Sequence, residues 1–525
     1  MRLLYFIRSE GAYKSSSQYQ NDFHLQSDLH GPQSKTPLIS KNSFPPVEKA
    51  SSEDTVLQML WAIARVGLPA SITQLFSMGM DLANMIFIGH SNDSAKIAGI
   101  GLGNLFINIC SQAVILGLNG GISTLASQAY GAKNYRKVGI YLNRGRFIGL
   151  AFFIPQALLM LNCERILLLL GQDSAASAYA QEYTYYMIIA MLAHTQFDAT
   201  RSYLNAIHKN TFVTMTMTIT SVLHIFWCYY LVVYLNMGVK GVGIATMISY
   251  SQNCTVITII CKMLPDIKES FFLITRESIF EGWDEYMKIA LPNTALIILE
   301  WGALEILALI ASLINVDATS AQVIAMNAFI VLLQLPYGGE MGTVVCVGAA
   351  LGEANAPKAI SLLKIATILF FGLDSLLALV IICFKESIAH VFTSNPSIVY
   401  YLDDCFTAVA LLTVVFGIHF ILAGALRGLG LQMHATFTVL ICQYGFSLPF
   451  GYLFSITWEQ GVKGIWYGQI IGALSQMVTF TYILSKRVNW NEKAITINET
   501  MRLEKQAECI QLAEVNIEVQ GNRPE

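Results

Sequence analysis

Charge is scarce in this chain. Only 13% of its 525 residues are Asp, Glu, Lys or Arg, against roughly a quarter in soluble domains. No basic run offers a nucleic-acid surface, and the net charge is −3. Cysteines with metal or redox spacing are missing too. The ten cysteines are scattered, with no CxxC pair, which excludes a zinc ribbon and a disulfide framework; they read as small apolar packing residues. There is no GxxxxGK[ST] phosphate loop, no HExxH and no GxSxG. ATP-driven pumping by this chain alone, and a recognisable intramembrane hydrolase, are therefore not expected, nor is any cofactor or metal.

What is present is apolar length. Hydrophobic residues make up 54% of the chain, and its mean hydropathy is +0.52. Stretches of about 20 apolar residues, enough to cross a bilayer, recur at 62–89, 97–127, 138–161, 178–206, 212–236, 239–262, 285–313, 318–348, 360–383, 401–426, 433–456 and 462–485. The chain therefore divides into a polar tail (1–60), a first six-span bundle (61–263), an amphipathic linker (264–284), a second six-span bundle (285–486) and a polar tail (487–525). Residues 1–60 are expected to be disordered. Met501–Gln520 mixes charges with apolar residues in a way that suits a surface helix.

The two bundles are copies. Gly131-Ala132-Lys133-Asn134 returns as Gly352-Glu353-Ala354-Asn355, with 352 − 131 = 221. Gly238-Val239-Lys240-Gly241 returns as Gly461-Val462-Lys463-Gly464, and Leu68-Pro69 as Leu291-Pro292, each 223 residues on. Six spans per copy put both into the membrane in the same direction. The expected fold is thus an all-α membrane protein, twelve transmembrane helices in two six-helix bundles related by a parallel internal repeat. With the N-terminus in the cytosol, inner loops carry fourteen Lys and Arg. Outer loops carry five: Lys96, Arg165, Lys240, Lys385 and Lys463. That bias places both termini in the cytosol. Asn92-Asp93-Ser94 is a glycosylation signal on the outer side, very close to the membrane.

An ionisable group inside a span is costly and usually functional. Glu300 and Glu305 lie in the seventh span, about 140° apart on the helical wheel, so one cavity does not use both equally. Asp81 lies in the first span on a polar stripe with Gln74, Ser77 and Asn84 that fits a watery cleft or a structural seam. Asp198 is a candidate that also sits one turn from Arg201. Glu340 is deep in the eighth span among glycines, and Asp374 is mid-span in the ninth. Trp301 and Tyr337, like Tyr183, Tyr185 and Tyr186, could offer ring faces to organic cations. Asn104, Asn108, Gln112 and Asn119 read as interhelical glue. His194, His224 and His419 read as hydrogen-bonded core residues, and Asp403 and Asp404 as helix-end acids.

The chain resembles the multidrug and toxic compound extrusion (MATE) transporters over roughly residues 60–487. The resemblance is carried by Ser127-Gln128-Ala129-Tyr130-Gly131-Ala132-Lys133-Asn134, Leu299-Glu300-Trp301 and Gly424-Ala425-Leu426-Arg427-Gly428-Leu429-Gly430, with Ile88-Gly89-His90 and Gly171-Gln172-Asp173 also fitting. The Leu-Glu-Trp element looks like the eukaryotic branch. The resemblance implies a monomeric antiporter that exchanges protons or sodium for small-molecule substrates, chiefly organic cations, drugs or metabolites, across a plasma, vacuolar or other endomembrane. It also implies a coupling and binding role for Glu300 and frequent acidity at Glu305. An acid that eukaryotic members carry in the tenth span is replaced here by Phe416, so Glu305, Glu340 or Asp81 is expected to supply what is missing. The alternatives are a lipid-linked sugar flippase of the same superfamily, which would want a cationic cleft, and a passive channel or receptor.

Overall fold

The computed structural model describes residues 55–89, 93–392 and 395–521. Asn92 and His90 lie outside them, as do residues 1–54. The rest is helix joined by short turns. The first bundle, the N-lobe, contains α1 (Val56–Gly89), α2 (Ala95–Gly131), α3 (Tyr135–Leu161), the short α4 (Cys163–Leu169), α5 (Ser174–Ala206), α6 (Thr211–Tyr234) and α7 (Gly238–Met263). A connector with one short helix, α8 (Arg276–Phe280), leads to the C-lobe. That lobe contains α9 (Trp283–Ser312), α10 (Val316–Gly352), α11 (Ala356–Phe392), α12 (Pro396–Gly428), α13 (Gln432–Thr457) and α14 (Gly461–Tyr482). The tail forms α15 (Trp490–Gly521). Helix α1 starts at Val56, inside the stretch 1–60 that the sequence assigns to the polar tail, because Val56, Leu57, Met59 and Leu60 already favour the helix that follows.

Ten of the twelve long helices of the two lobes are long and apolar enough to span a bilayer by length and composition alone. The other two, α5 and α14, are more polar because much of that polarity is inside the bundle. Buried Thr184, His194, Asp198 and Arg201 lie on α5, and buried Gln469 and Gln476 on α14. These groups face the bundle interior rather than lipid, and Thr184, Asp198 and Arg201 find hydrogen-bond partners there.

The repeated motif has a threefold local purpose. Lys133 and Ala354 both adopt φ 57°, a left-handed turn that ends one helix. The next residue caps the following helix: Asn134 Oδ1 accepts from Lys137 N at 3.2 Å, and Asn355 Oδ1 from Lys358 N at 3.0 Å. The glycine that opens each motif lets the lobes meet. A Cβ on Gly131 would fall 1.9 Å from the Ala349 carbonyl, and one on Gly352 would fall 2.0 Å from the Gln128 carbonyl. Since 349 − 128 = 221, these are one contact made twice across the repeat axis.

The two motif loops share a face with α15, here called the tail face. The hydrogen bonds that join the lobes cluster in the helix halves next to it. Asn293 Nδ2 donates to the Gly117 carbonyl at 2.9 Å, and the Tyr286 hydroxyl donates to the Leu118 carbonyl at 2.9 Å. Gln128 Nε2 donates to the Gly428 carbonyl at 2.8 Å. Gly67 of α1 packs on Gly338 of α10, and Ser71 Oγ donates to the Leu335 carbonyl at 3.2 Å. The lobes are therefore closed at the tail face.

Helix α15 lies across that seam. Asn498 Nδ2 donates to the Gly352 carbonyl at 2.5 Å on the C-lobe side. On the N-lobe side Asn134 Nδ2 donates to the Met501 carbonyl at 3.2 Å, Lys505 Nζ donates to the Lys133 carbonyl at 2.9 Å, and Glu504 pairs with Lys137 at 3.1 Å. Its apolar residues divide in the same way. Ala494 packs into the C-lobe core, and Met501 into the N-lobe core.

Within the N-lobe, Asn84, His224, Thr246 and Ser249 form a closed buried network. Asn84 Nδ2 donates to Thr246 Oγ1 at 3.0 Å; His224 places Nε2 3.0 Å from Asn84 Oδ1 and Nδ1 2.9 Å from Ser249 Oγ. Replacing Asn84 by Leu keeps the size but strips His224 and Thr246 of a partner. A loss of about 1–3 kcal/mol is expected, read as a lower denaturation midpoint in detergent; an unchanged midpoint would show that the network is slack.

Candidate transport cleft

Helical periodicity decides which in-span acids can meet between the lobes. On α1, Gly67 faces α10, and Gln74 and Asp81 follow at intervals of seven residues on almost the same stripe. On α9, Asn293 reaches Gly117 of α2, and Glu300 follows seven residues later. Asp81 and Glu300 thus lie on the interlobe stripes of α1 and α9, farther from the tail face than the contacts that close it. Glu305 lies off that stripe on an exposed part of α9, as the 140° separation requires. Asn84 also leaves the stripe. It belongs to the closed N-lobe network rather than to the cleft, because three residues beyond Asp81 turn it inward.

Each lobe then presents one acid–arginine pair. In the N-lobe, Asp198 and Arg201 pair on α5, both buried. Asn119 Nδ2 of α2 donates to Asp198 Oδ2 at 2.7 Å, and Arg201 donates to Gln74 Oε1 at 3.2 Å. In the C-lobe, Arg427 of α12 meets Glu340 Oε1 of α10 at 2.6 Å, with both side chains buried. Glycine makes this second pair possible. A Cβ on Gly424 would fall 2.7 Å from the Glu340 carbonyl oxygen and 3.2 Å from its Cγ. Tyr337, one turn before Glu340, lies between the pairs, within electrostatic reach of both Arg201 and Arg427. A recess between α1, α5, α6 and α10 is lined by Thr73, Arg201, Asn205, Tyr337 and Met341.

Each lobe also presents one acid with no ion pair among the described residues. Asp81 is exposed, with buried Tyr183 and Tyr250 within electrostatic reach. Glu300 is half-buried, within electrostatic reach of Glu340 and Arg427 but in a salt bridge with neither. Trp301 follows it, also half-buried. Four carboxyls (Asp81, Asp198, Glu300, Glu340) thus face two guanidiniums (Arg201, Arg427), an excess of two acids. The sequence shows Arg201 one turn from Asp198, but a separation of 87 positions hides the pairing of Glu340 with Arg427. The Gly424–Gly428 cluster around Arg427 was the available signal.

Other candidates resolve differently. Asp403 pairs with Lys385 at 2.8 Å and Asp404 with Lys463 at 3.0 Å, so both are tied at the face opposite the tail. Tyr183 is fully buried in the N-lobe core, whereas Tyr185 is exposed. His224 is hydrogen-bonded, but both ring nitrogens of buried His419 lack a partner, contrary to expectation, and its ring is stacked on Phe480.

Two repeated six-helix bundles, closed at one face over a polar cleft with ionisable groups at mid-depth, define a membrane transporter. The chain belongs to the MatE family: the family model matches residues 69–230 and 292–453, two segments offset by 223 residues, the interval of the repeat. Protein DETOXIFICATION 17 of Arabidopsis thaliana is 27% identical over 449 residues, covering 84% of this chain and 92% of that one. Multidrug and toxin extrusion protein 2 of Homo sapiens is 25% identical, covering 82% and 77%. The crystal structure of the eukaryotic MATE transporter AtDTX14 superposes with a TM-score of 0.80 at 22% identity, covering 85% of this chain and 99% of that one.

Proposed function

We propose that this transporter is a secondary antiporter that extrudes organic cations or related metabolites in exchange for protons or sodium, with its tail face in the cytosol. The observation that carries this reading is the unpaired carboxyl on the interlobe stripe of each lobe, Asp81 and Glu300, beside pairs that already neutralise both arginines. An unpaired acid in a cleft of low dielectric binds either a proton or a cationic cargo. Exclusive occupancy by one or the other couples the two flows. The excess of acids favours cationic cargo over the anionic diphosphate of a lipid-linked sugar, and the Lys and Arg bias of the loops supports the orientation.

Glu300→Gln removes the charge at constant shape. In proteoliposomes, gradient-driven uptake of ethidium is expected to fall by about 10²-fold, the scale of losing a coupling charge worth roughly 3 kcal/mol. Comparing imposed proton and sodium gradients in the unaltered protein identifies the driving ion. Undiminished uptake by the variant rules out the role given to Glu300.

A further inference from the structure

Besides the exposed Glu305, the C-lobe holds one more in-span carboxyl that lies outside the cleft. Asp374 lies at mid-length of α11 and has no solvent exposure at all. Both of its carboxyl oxygens lack a hydrogen-bond partner. It points at α12, where a glycine makes room for it: a Cβ on Gly417 would fall 1.8 Å from Asp374 Oδ2. Any other residue at position 417 would expel the carboxyl. One turn earlier on α11, Phe370 packs against Gly339 of α10 and Ile421 of α12, which seals the site on the side of the tail face.

The nearest charged and titratable groups on the facing helices do not pair with it. Glu340, next to Gly339 on α10, is held by Arg427. His419, two residues beyond Gly417 on α12, is turned away and stacked on Phe480 of α14. An ionised carboxylate sealed in apolar surroundings without a partner is strongly disfavoured; a neutral carboxyl is far less so.

From this geometry we infer that Asp374 is an occluded proton-binding site of the C-lobe, separate from the cleft, which holds its proton while the tail face is closed and exchanges it when α11 and α12 part. The inference rests on the exchange reading above and extends it. The proton on Asp374 must find a solvent path in the opposite conformation, so the α11–α12 seam around Gly417 opens during the cycle. Phe416, beside that glycine, is apolar, and the neighbouring helix brings a carboxyl to the adjoining position.

The test uses Asp374→Asn, which keeps shape and removes the titratable proton. In proteoliposomes with ethidium as probe, counterflow without an ion gradient is expected to stay within about twofold of the unaltered protein. Accumulation driven by a proton gradient should drop by about tenfold. The unaltered protein labelled with ¹³C-aspartate should show an infrared carbonyl band of a protonated carboxyl at neutral pH that exchanges deuterium slowly, as a sealed site requires; Asp81, being exposed, would exchange fast. Unchanged proton-driven accumulation in Asp374→Asn overturns the inference. So does the absence of the slow band, or accumulation by the unaltered protein that sodium drives and Asp374→Asn abolishes. If Asp374→Asn does not fold, Asp374→Glu retains the proton and is expected to keep proton-driven accumulation; its loss, with counterflow intact, counts against the site. A lack of counterflow in the unaltered protein overturns the exchange reading instead, and leaves the infrared band to decide on Asp374.

Discussion

Arg427→Met is expected to destabilise the purified protein by about 3–5 kcal/mol, the cost of leaving one member of a buried ion pair alone. Its guanidinium lies 2.6 Å from Glu340 Oε1, and both side chains are buried, so little water is at hand to solvate the orphaned carboxylate. The methionine fills much of the same volume, which separates the charge effect from a cavity. Glu340→Gln combined with Arg427→Met removes both charges and should regain most of the loss, because desolvation of the pair offsets much of its attraction. Chemical denaturation in mixed micelles measures both variants. A double variant as unstable as Arg427→Met alone would mean that the arginine stem, not the charge, holds α10 to α12.

Gly131→Val and Gly352→Val should each move the protein away from the state closed at the tail face. The new Cβ atoms would lie 1.9 Å from the Ala349 carbonyl and 2.0 Å from the Gln128 carbonyl, and backbone atoms cannot rotate aside as a side chain can. Overpacking of this kind costs about 1–3 kcal/mol. Both glycines sit at the seam rather than inside a lobe, so separating the lobes relieves the clash. The ratio of conformers should shift by roughly tenfold to a hundredfold. Ser127, fully buried beside Gly348 at this seam, offers the readout. A cysteine placed there should react with maleimide added at the tail face faster by a similar factor in either valine variant. Equal labelling rates would mean that the lobes accommodate the valines without parting.

The helices and the repeat were open to sequence reading because lipid demands long apolar runs and duplication leaves motifs at a fixed interval. The division between Glu300 and Glu305 was equally legible, since a wheel angle needs no tertiary knowledge. The partners were not. Glu340 finds Arg427 on a distant segment, and Gly417 admits Asp374 only because α11 and α12 pack in one register. Asn84 shows the limit of a stripe argument: its neighbours on paper are Asp81 and Ser77, but a rotation of about 60° between positions three residues apart is enough to carry it from the cleft wall into the lobe. Helix α15 lay in between. Its mixture of charges and apolar residues suggested a surface helix, but nothing local said that its two ends would attach to different halves.

That attachment makes the tail a crossbar. Asn498 anchors it to one half and Glu504, Lys505 and Met501 to the other, so parting the halves at this face has to strip the bar from at least one anchorage. Its free energy of attachment therefore enters the balance between the two ends of the transport cycle directly. A few residues that never touch cargo can in this way bias which side of the membrane the empty carrier waits on.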